Sequence, residues 1–101
     1  MLRHVVLIRL VEDDPERPLD ASADELVAAL RALPDRIPEI RSYEVGRDLG
    51  LAPTNAHVAI VAEFDDAEAL AAYREHPAHV DVLERLIEPV SASRTAVQFE
   101  L

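Results

Sequence analysis

The sequence predicts an α+β domain of the ferredoxin-like type, in which two helices pack on one face of a four-stranded antiparallel sheet. The apolar residues recur with a period of two in four segments and with a helical period in two others. These segments follow one another in the order β-α-β-β-α-β, which is the order of this fold. The 101 residues are enough for one domain, which we expect to span residues 1–101.

The first half of the chain contains two predicted strands and one predicted helix. Aliphatic and β-branched residues predict a strand over residues 3–11, and an acidic, proline-containing loop follows over residues 12–20. Residues Ser22 to Glu25 match a capping box, and leucines spaced at i, i+4 and i+7 then predict an amphipathic helix over residues 23–33. A second strand is predicted over residues 40–48.

The second half repeats the pattern with a longer helical region. Alternating apolar residues predict a third strand over residues 57–64. An Asp-Asp pair then begins a helix over residues 65–75, and a second helical piece is predicted over residues 77–87. The last strand is predicted over residues 92–100.

The strands are apolar on both faces. In the first strand, Val5 and Leu7 point one way, whereas Val6, Ile8 and Leu10 point the other. Two helices can cover only one face of such a sheet, and a face in contact with water would be polar at alternate positions. We therefore expect a homodimer, in which a second copy covers the other face and the two sheets form a barrel.

Composition excludes several classes of function. Acidic residues outnumber basic ones 20 to 10, every basic residue is arginine, and the formal charge is −10. The chain therefore has no lysine for a Schiff base and no basic stripe for a nucleic acid. It has no cysteine, which excludes disulfides, thiolate catalysis and cysteine-ligated metals. The apolar run near the N-terminus is too short for a signal sequence, so we expect a cytoplasmic protein without a membrane partner.

The segment from Tyr73 to His79 carries the most chemical information. It places a phenol and two imidazoles within seven residues of a chain that has two tyrosines and four histidines. Pro77 disfavours helical geometry at His76 and suits the first turn of a new helix, so we expect the chain to bend there. The bend would bring Tyr73 and His79 onto one cavity, where an imidazole can transfer protons near neutral pH.

The same histidines do not predict a metal site. His76 and His79 have i, i+3 spacing, but zinc normally takes at least three protein ligands and no third is fixed by spacing. We expect no metal and no cofactor. Arg74 and Glu75, between Tyr73 and His76, are interpreted as part of a solvated helix face.

The Tyr73-x-x-His76-Pro77-Ala78-His79 segment resembles the stress-responsive dimeric α/β barrel (Dabb) family, as do Arg3 to Leu7 and Ala56 to Val58. The resemblance implies a ferredoxin-like protomer and a dimeric barrel. Within the family the segment is similar to that of a plant polyketide cyclase, olivetolic acid cyclase, which closes a linear polyketide thioester by an aldol condensation.

The resemblance to the cyclase implies roles for four residues. His79 is the expected catalytic base, and Tyr73 orients it or donates a hydrogen bond to the enolate oxygen. His4 and His57 are expected to line the cavity and contact the substrate, and we expect the same of His76, which lies in the Tyr73 to His79 segment. The cyclase has aromatic side chains where this chain has Leu26, Val27 and Leu30, so the substrate pocket differs.

The sequence is compatible with three functions. The first is a small cyclase or lyase that acts on a polyketide-like or β-dicarbonyl compound. The second is a non-catalytic dimeric module that binds a small apolar molecule or acts in a stress response. The third, by analogy of fold alone, is a cofactor-independent oxygenase.

Overall fold

A computed structural model describes residues 1–101 and confirms the predicted order of elements. The elements are β1 (Leu2–Leu10), α1 (Leu19–Arg31), a 3-10 turn (Leu33–Asp35), β2 (Ser42–Arg47), β3 (Val58–Phe64), α2 (Ala67–Glu75), α3 (Pro77–Val82), a π-helical turn (Leu83–Ile87) and β4 (Ser91–Glu100). Predicted and observed ends differ by one or two residues for most elements. None of the helices combines the length and the apolar composition that crossing a membrane requires.

The four strands form one antiparallel sheet in the order β2-β3-β1-β4. Its register places residues from all four strands side by side. Tyr43 pairs with Ala62, Ala62 with His4, and His4 with Gln98. Because paired residues point to the same side of a sheet, these four side chains form one row on one face.

Helix α1 begins earlier than the capping box predicts. Its first residue is Leu19, Pro18 occupies the N-cap position, and the backbone N–H of Ser22 donates to the Pro18 carbonyl. Ser22 therefore lies within the first turn and caps nothing, so the predicted start at residue 23 was wrong. Leu19 packs against the core, which extends the apolar face by one turn and explains the earlier start.

The core lies between the helices and one face of the sheet. On β3, Val58, Ile60, Ala62 and Phe64 are all buried against the helix layer. From α1, the small and aliphatic side chains of the predicted amphipathic face complete the packing: Ala23, Leu26, Val27 and Leu30. Burial of this apolar area is the main term that stabilises the domain, at roughly 25 cal/mol per Å².

The opposite face of the sheet, here called the open face, has no cover within the chain. Leu7, Val97 and Phe99 are 44%, 54% and 45% exposed. In register, Val5 lies beside Val97 and Val61, so the exposed residues form a continuous apolar area. The predicted alternation of apolar residues on both faces is confirmed.

Strand β4 is also uncovered on the helix side. Its helix-facing residues Arg94, Ala96 and Gln98 are exposed, whereas those of β3 are buried. The helix layer therefore ends over β1, and a space is left between β1, β4 and the α2–α3 segment. The candidate site lies in this space.

Candidate functional site

The space beside β1 and β4 is a cavity of about 320 Å³, here called the His79 cavity. It is lined by His4, Val6, Ile8, Ile60, Tyr73, Arg74, His79, Leu83, Ile87, Arg94 and Ala96. Ligand pockets in proteins begin at about 300 Å³ and are mostly apolar with a few convergent polar groups. The His79 cavity has this character, and it brings together the predicted residues Tyr73, His79 and His4.

The break between α2 and α3 sets the position of His79. His76 has extended geometry, with φ −63° and ψ 134°, as predicted from Pro77. In a continuous helix, the Arg74 carbonyl would accept the N–H of Ala78. Here that N–H donates to Nδ1 of His76 at 3.0 Å, and the Arg74 carbonyl instead bonds Nδ1 of His79 at 3.1 Å. The His-Pro-Ala-His sequence thus breaks the helix and leaves a backbone carbonyl free to hold the imidazole of His79.

The hydrogen bond to Arg74 defines which nitrogen of His79 carries the proton. A carbonyl oxygen only accepts, so Nδ1 is the donor and Nε2 of the neutral ring keeps a free lone pair. Burial lowers the pKa of His79, the bond to the Arg74 carbonyl opposes this, and the charges of Arg74 and Arg94 lower it further. A neutral imidazole with a free Nε2 is the form that a general base needs.

His4 has the complementary arrangement. The side chain is 5% exposed, and its Nδ1 lies 2.9 Å from Nε2 of Gln98, which donates to it. The proton of the neutral ring therefore lies on Nε2, for which the chain offers no partner. Burial lowers the pKa of His4 to about 4, with the charges of Arg74 and His79 as further causes. His4 is thus a neutral hydrogen-bond donor beside a neutral acceptor.

Tyr73 links the two imidazoles through its ring. Its ring centroid lies 4.4 Å from that of His79 and 6.2 Å from that of His4. The Tyr73 hydroxyl bonds the Tyr43 hydroxyl at 2.7 Å, and the side chain is only 1% exposed. Burial raises the pKa of Tyr73, while the hydrogen bond with Tyr43 and the charge of Arg74 oppose this. Tyr73 therefore packs against His79 with its ring, and its hydroxyl is held by Tyr43.

Two arginines lie at the rim of the His79 cavity. Arg74 comes from α2 and Arg94 from β4, and neither side chain makes an ion pair or a hydrogen bond. The interpretation of Arg74 as part of a solvated face was incomplete. It is exposed, but it also lines the cavity, and its charge acts on both histidines.

The other two predicted histidines do not line this cavity. His57 accepts the backbone N–H of Leu10 on Nδ1 at 2.8 Å, and its Nε2 lies 2.9 Å from Oε1 of Glu12. It lines a separate cavity of about 380 Å³ at the far end of β1, with Leu7, Asp48 and other residues. His76 caps α3 through the bond to Ala78. Of the three histidines expected to contact the substrate, only His4 lines the His79 cavity.

The chain has no cluster of three or more histidine, aspartate or glutamate side chains with the spacing of a metal site. His76 and His79 each use Nδ1 for a hydrogen bond within the α2–α3 segment. The polar side chains that line the His79 cavity end in imidazole, phenol and guanidinium groups.

Comparison with known proteins agrees with this fold. The model of the Stress responsive A/B Barrel Domain (Dabb) family matches residues 2–101. The chain belongs to this family. An uncharacterised protein of Streptomyces coelicolor is 39% identical in an alignment of 82 residues that covers 78% of this chain and 79% of that protein.

Solved structures show the same architecture. A dimeric ferredoxin-like protein of unknown function from Thermobifida fusca is 39% identical, with a TM-score of 0.82 over 99% of this chain and 90% of the other. The hydroxynitrile lyase of Passiflora edulis has a TM-score of 0.79 over 99% of this chain and 92% of the other, at 16% identity. At that identity the likeness concerns the fold alone.

Sequence reasoning missed four residues in or beside the His79 cavity. Gln98 and Tyr43 lie in the same row as His4, which the strand register reveals but the sequence does not. Arg94 lies on β4 and Arg74 on α2, and only the fold shows that both line one cavity. Alternation along the last strand does put Arg94, Ala96 and Gln98 on one face, and this was the available signal.

Proposed function

We propose that this protein binds a small, polyketide-like or β-dicarbonyl molecule in the His79 cavity and catalyses aldol-type cyclisation or related lyase chemistry. The observation that carries the proposal is the free Nε2 of His79 in a largely apolar cavity, beside a neutral histidine donor. These two groups have opposite hydrogen-bonding roles, which is what proton abstraction with stabilisation of an enolate requires.

The chemistry follows from the two imidazoles. Nε2 of His79 takes the acidic proton between two carbonyls, and the electron pair of the broken C–H bond moves onto the adjacent carbonyl oxygen. Nε2–H of His4 donates to that oxygen. The enolate carbon then attacks a second carbonyl of the same molecule, and the resulting alkoxide takes the proton back from His79. The lyase direction is the reverse, in which the C–C bond breaks.

Tyr73 is proposed to position His79 in this scheme. Its ring lies against the imidazole, and its hydroxyl is held by Tyr43. The resemblance to olivetolic acid cyclase adds support for the His79 and Tyr73 pair. The substrate is proposed to differ, because Leu26, Val27 and Leu30 belong to the buried core and none of them lines the cavity.

The test is exchange of the activated hydrogen of a β-keto ester, such as ethyl 2-methylacetoacetate, for deuterium. Proton NMR in D₂O should show exchange faster than in buffer alone, and His79→Ala should reduce the catalysed rate by about 10²–10⁴-fold. The matched control His57→Ala removes an imidazole outside the cavity and should leave the rate unchanged. Undiminished exchange in the His79→Ala variant would rule out His79 as the base.

The second candidate is a non-catalytic module that binds the same class of molecule. The His79 cavity is open to solvent beside β4, and a base works best in a site that excludes water. In this case ligands would bind in the cavity without catalysed exchange. The oxygenase alternative rests on fold analogy, and no residue of the cavity favours it.

We also propose that the chain forms a homodimer through the open face. Leu7, Val97 and Phe99 are exposed there, and structural neighbours are described as dimeric. The His79 cavity lies on the opposite side of the sheet, so dimerisation leaves it accessible. Sedimentation at micromolar concentration should give twice 11.2 kDa, and Val97→Arg should shift the species toward the monomer. A wild-type chain that sediments only as an 11.2 kDa species would contradict the dimer.

A further inference from the structure

The His79 cavity differs in charge from every other cavity of the molecule. The chain has 20 acidic residues, yet none of them lines this cavity. Each of the other four cavities has at least one carboxylate in its wall, for example Asp48, Glu25 or Glu12. In a protein of net charge −10, a cavity without carboxylates and with two arginines is a local exception.

The arginines of this cavity also differ from most others in the chain. Seven of the ten arginines make ion pairs with carboxylates or hydrogen bonds to backbone carbonyls. Arg36, Arg74 and Arg94 do not, and two of these three lie at the same cavity. Unpaired guanidinium groups have five donors each and no acceptor, so an anion is the partner they lack.

We propose that the occupant of the His79 cavity is an apolar molecule that carries a carboxylate, held by Arg74 and Arg94. The inference rests on the proposed site and names its substrate class. The aliphatic walls, among them Val6, Ile60, Leu83 and Ile87, contact the apolar body. The guanidinium groups at the rim bind the carboxylate, by hydrogen bonds that a neutral amide cannot match in strength. The reacting carbon then lies between the rim and the imidazoles.

The test compares two probes with the same alkyl chain, octanoate with a charged head group and octanamide with a neutral one. Binding is measured by isothermal titration at pH 7.5, and NMR chemical-shift changes at Tyr73 and His79 report whether the probe occupies the cavity. Octanoate should bind at least about tenfold more tightly than octanamide, and the difference should shrink as salt is added.

Three variants locate the source of the preference. Arg74→Gln and Arg94→Gln should each weaken octanoate binding about three- to tenfold, and the double variant should bind both probes equally. Arg36→Gln is the matched control, because Arg36 is an unpaired arginine that does not line the cavity. It should behave as the wild type. A preference for octanoate that survives in the double variant, or that is lost in Arg36→Gln, would overturn the proposal.

The remaining outcomes separate this inference from the proposed function. Equal binding of both probes, with shift changes at His79, would overturn the carboxylate inference and leave the small-molecule site intact. If neither probe changes the chemical shifts of Tyr73 and His79, then the probes do not bind in the His79 cavity. That result would contradict both the proposed small-molecule site and the carboxylate inference. Sedimentation of each variant establishes that a change in affinity does not follow from a change in assembly.

Discussion

A histidine lies at each end of strand β1: His4 belongs to the strand, and His57 lies against its last residue, Leu10. The hydrogen-bonding groups of the two rings are used differently. At one end His4 faces the His79 cavity with Nε2 unpartnered, and His79 likewise keeps a free Nε2. At the other end His57 has both ring nitrogens occupied, by the N–H of Leu10 and by the carboxylate of Glu12. One end has spare hydrogen-bonding capacity in an apolar cavity, and the other has none.

A candidate site histidine differs from a structural one in that one of its ring nitrogens has no partner within the chain. His57 supplies a partner just beyond the ladder between β1 and β3, which ends at the pair Ile8 and Val58. Its imidazole satisfies the N–H of the buried Leu10, which would otherwise have no partner. His4 and His79 have the capacity left over to bind something that is not part of the chain.

The burial of His4 should lower the stability of the protein at acid pH. The pKa of His4 falls from 6.5 to about 4 on folding, so between these values the unfolded chain binds a proton that the folded chain does not. The His4 contribution is neutral above pH 6.5 and becomes destabilising as the pH falls toward 4, by up to about 3 kcal/mol.

Urea unfolding of the wild type and of His4→Gln at pH 7.5 and pH 4.5 measures this contribution. The wild type should lose more stability over this interval than the variant, because the variant lacks the titrating group while the other acid-sensitive groups are shared. Equal losses in the two proteins would show that His4 is not held neutral by its surroundings.

The next effect concerns His57. His57→Ala removes the acceptor of the Leu10 N–H, so the free energy of unfolding should fall by about 2 kcal/mol. Glu12→Gln is the control, since it removes the exposed charge and keeps the bond to Leu10. It should change stability by less than about 0.5 kcal/mol. If His57→Ala were neutral for stability yet abolished catalysed exchange, the division between the two ends of β1 would fail.

The smallest expected effect is at the tyrosine pair. Tyr43→Phe leaves the buried Tyr73 hydroxyl without its partner and should lower the free energy of unfolding by about 1 kcal/mol. Tyr43→Phe combined with Tyr73→Phe removes both hydroxyls and should recover part of that loss. A strictly additive double variant would mean that the 2.7 Å contact between the hydroxyls contributes no coupling.

Much of the fold follows from the sequence, and the bend at His76 follows from a single proline. The alternation in β1 and β3 predicted which side chains share a face of the sheet, and Pro77 predicted where α2 ends. The start of α1 could not be predicted from the sequence. The capping-box match at Ser22 indicated a later start, whereas the packing of Leu19 against the core extends the helix by one turn.

Only part of the candidate site could be predicted from the sequence. The Tyr73 to His79 segment could be identified because its members are close in sequence. Arg94 and Gln98 lie on the last strand, and they reach His79 and His4 only through strand pairing and helix placement. His57 matched the pattern of a pocket histidine, but a hydrogen bond to Leu10, 47 residues away, decides its position.

Long-range ¹⁵N–¹H correlation of the imidazole rings at pH 7.5 shows which nitrogen of each histidine carries the proton. His79 should carry its proton on Nδ1 and have an unprotonated Nε2, while His4 and His57 should carry theirs on Nε2. A His79 ring protonated on Nε2, or on both nitrogens, would contradict its role as a base.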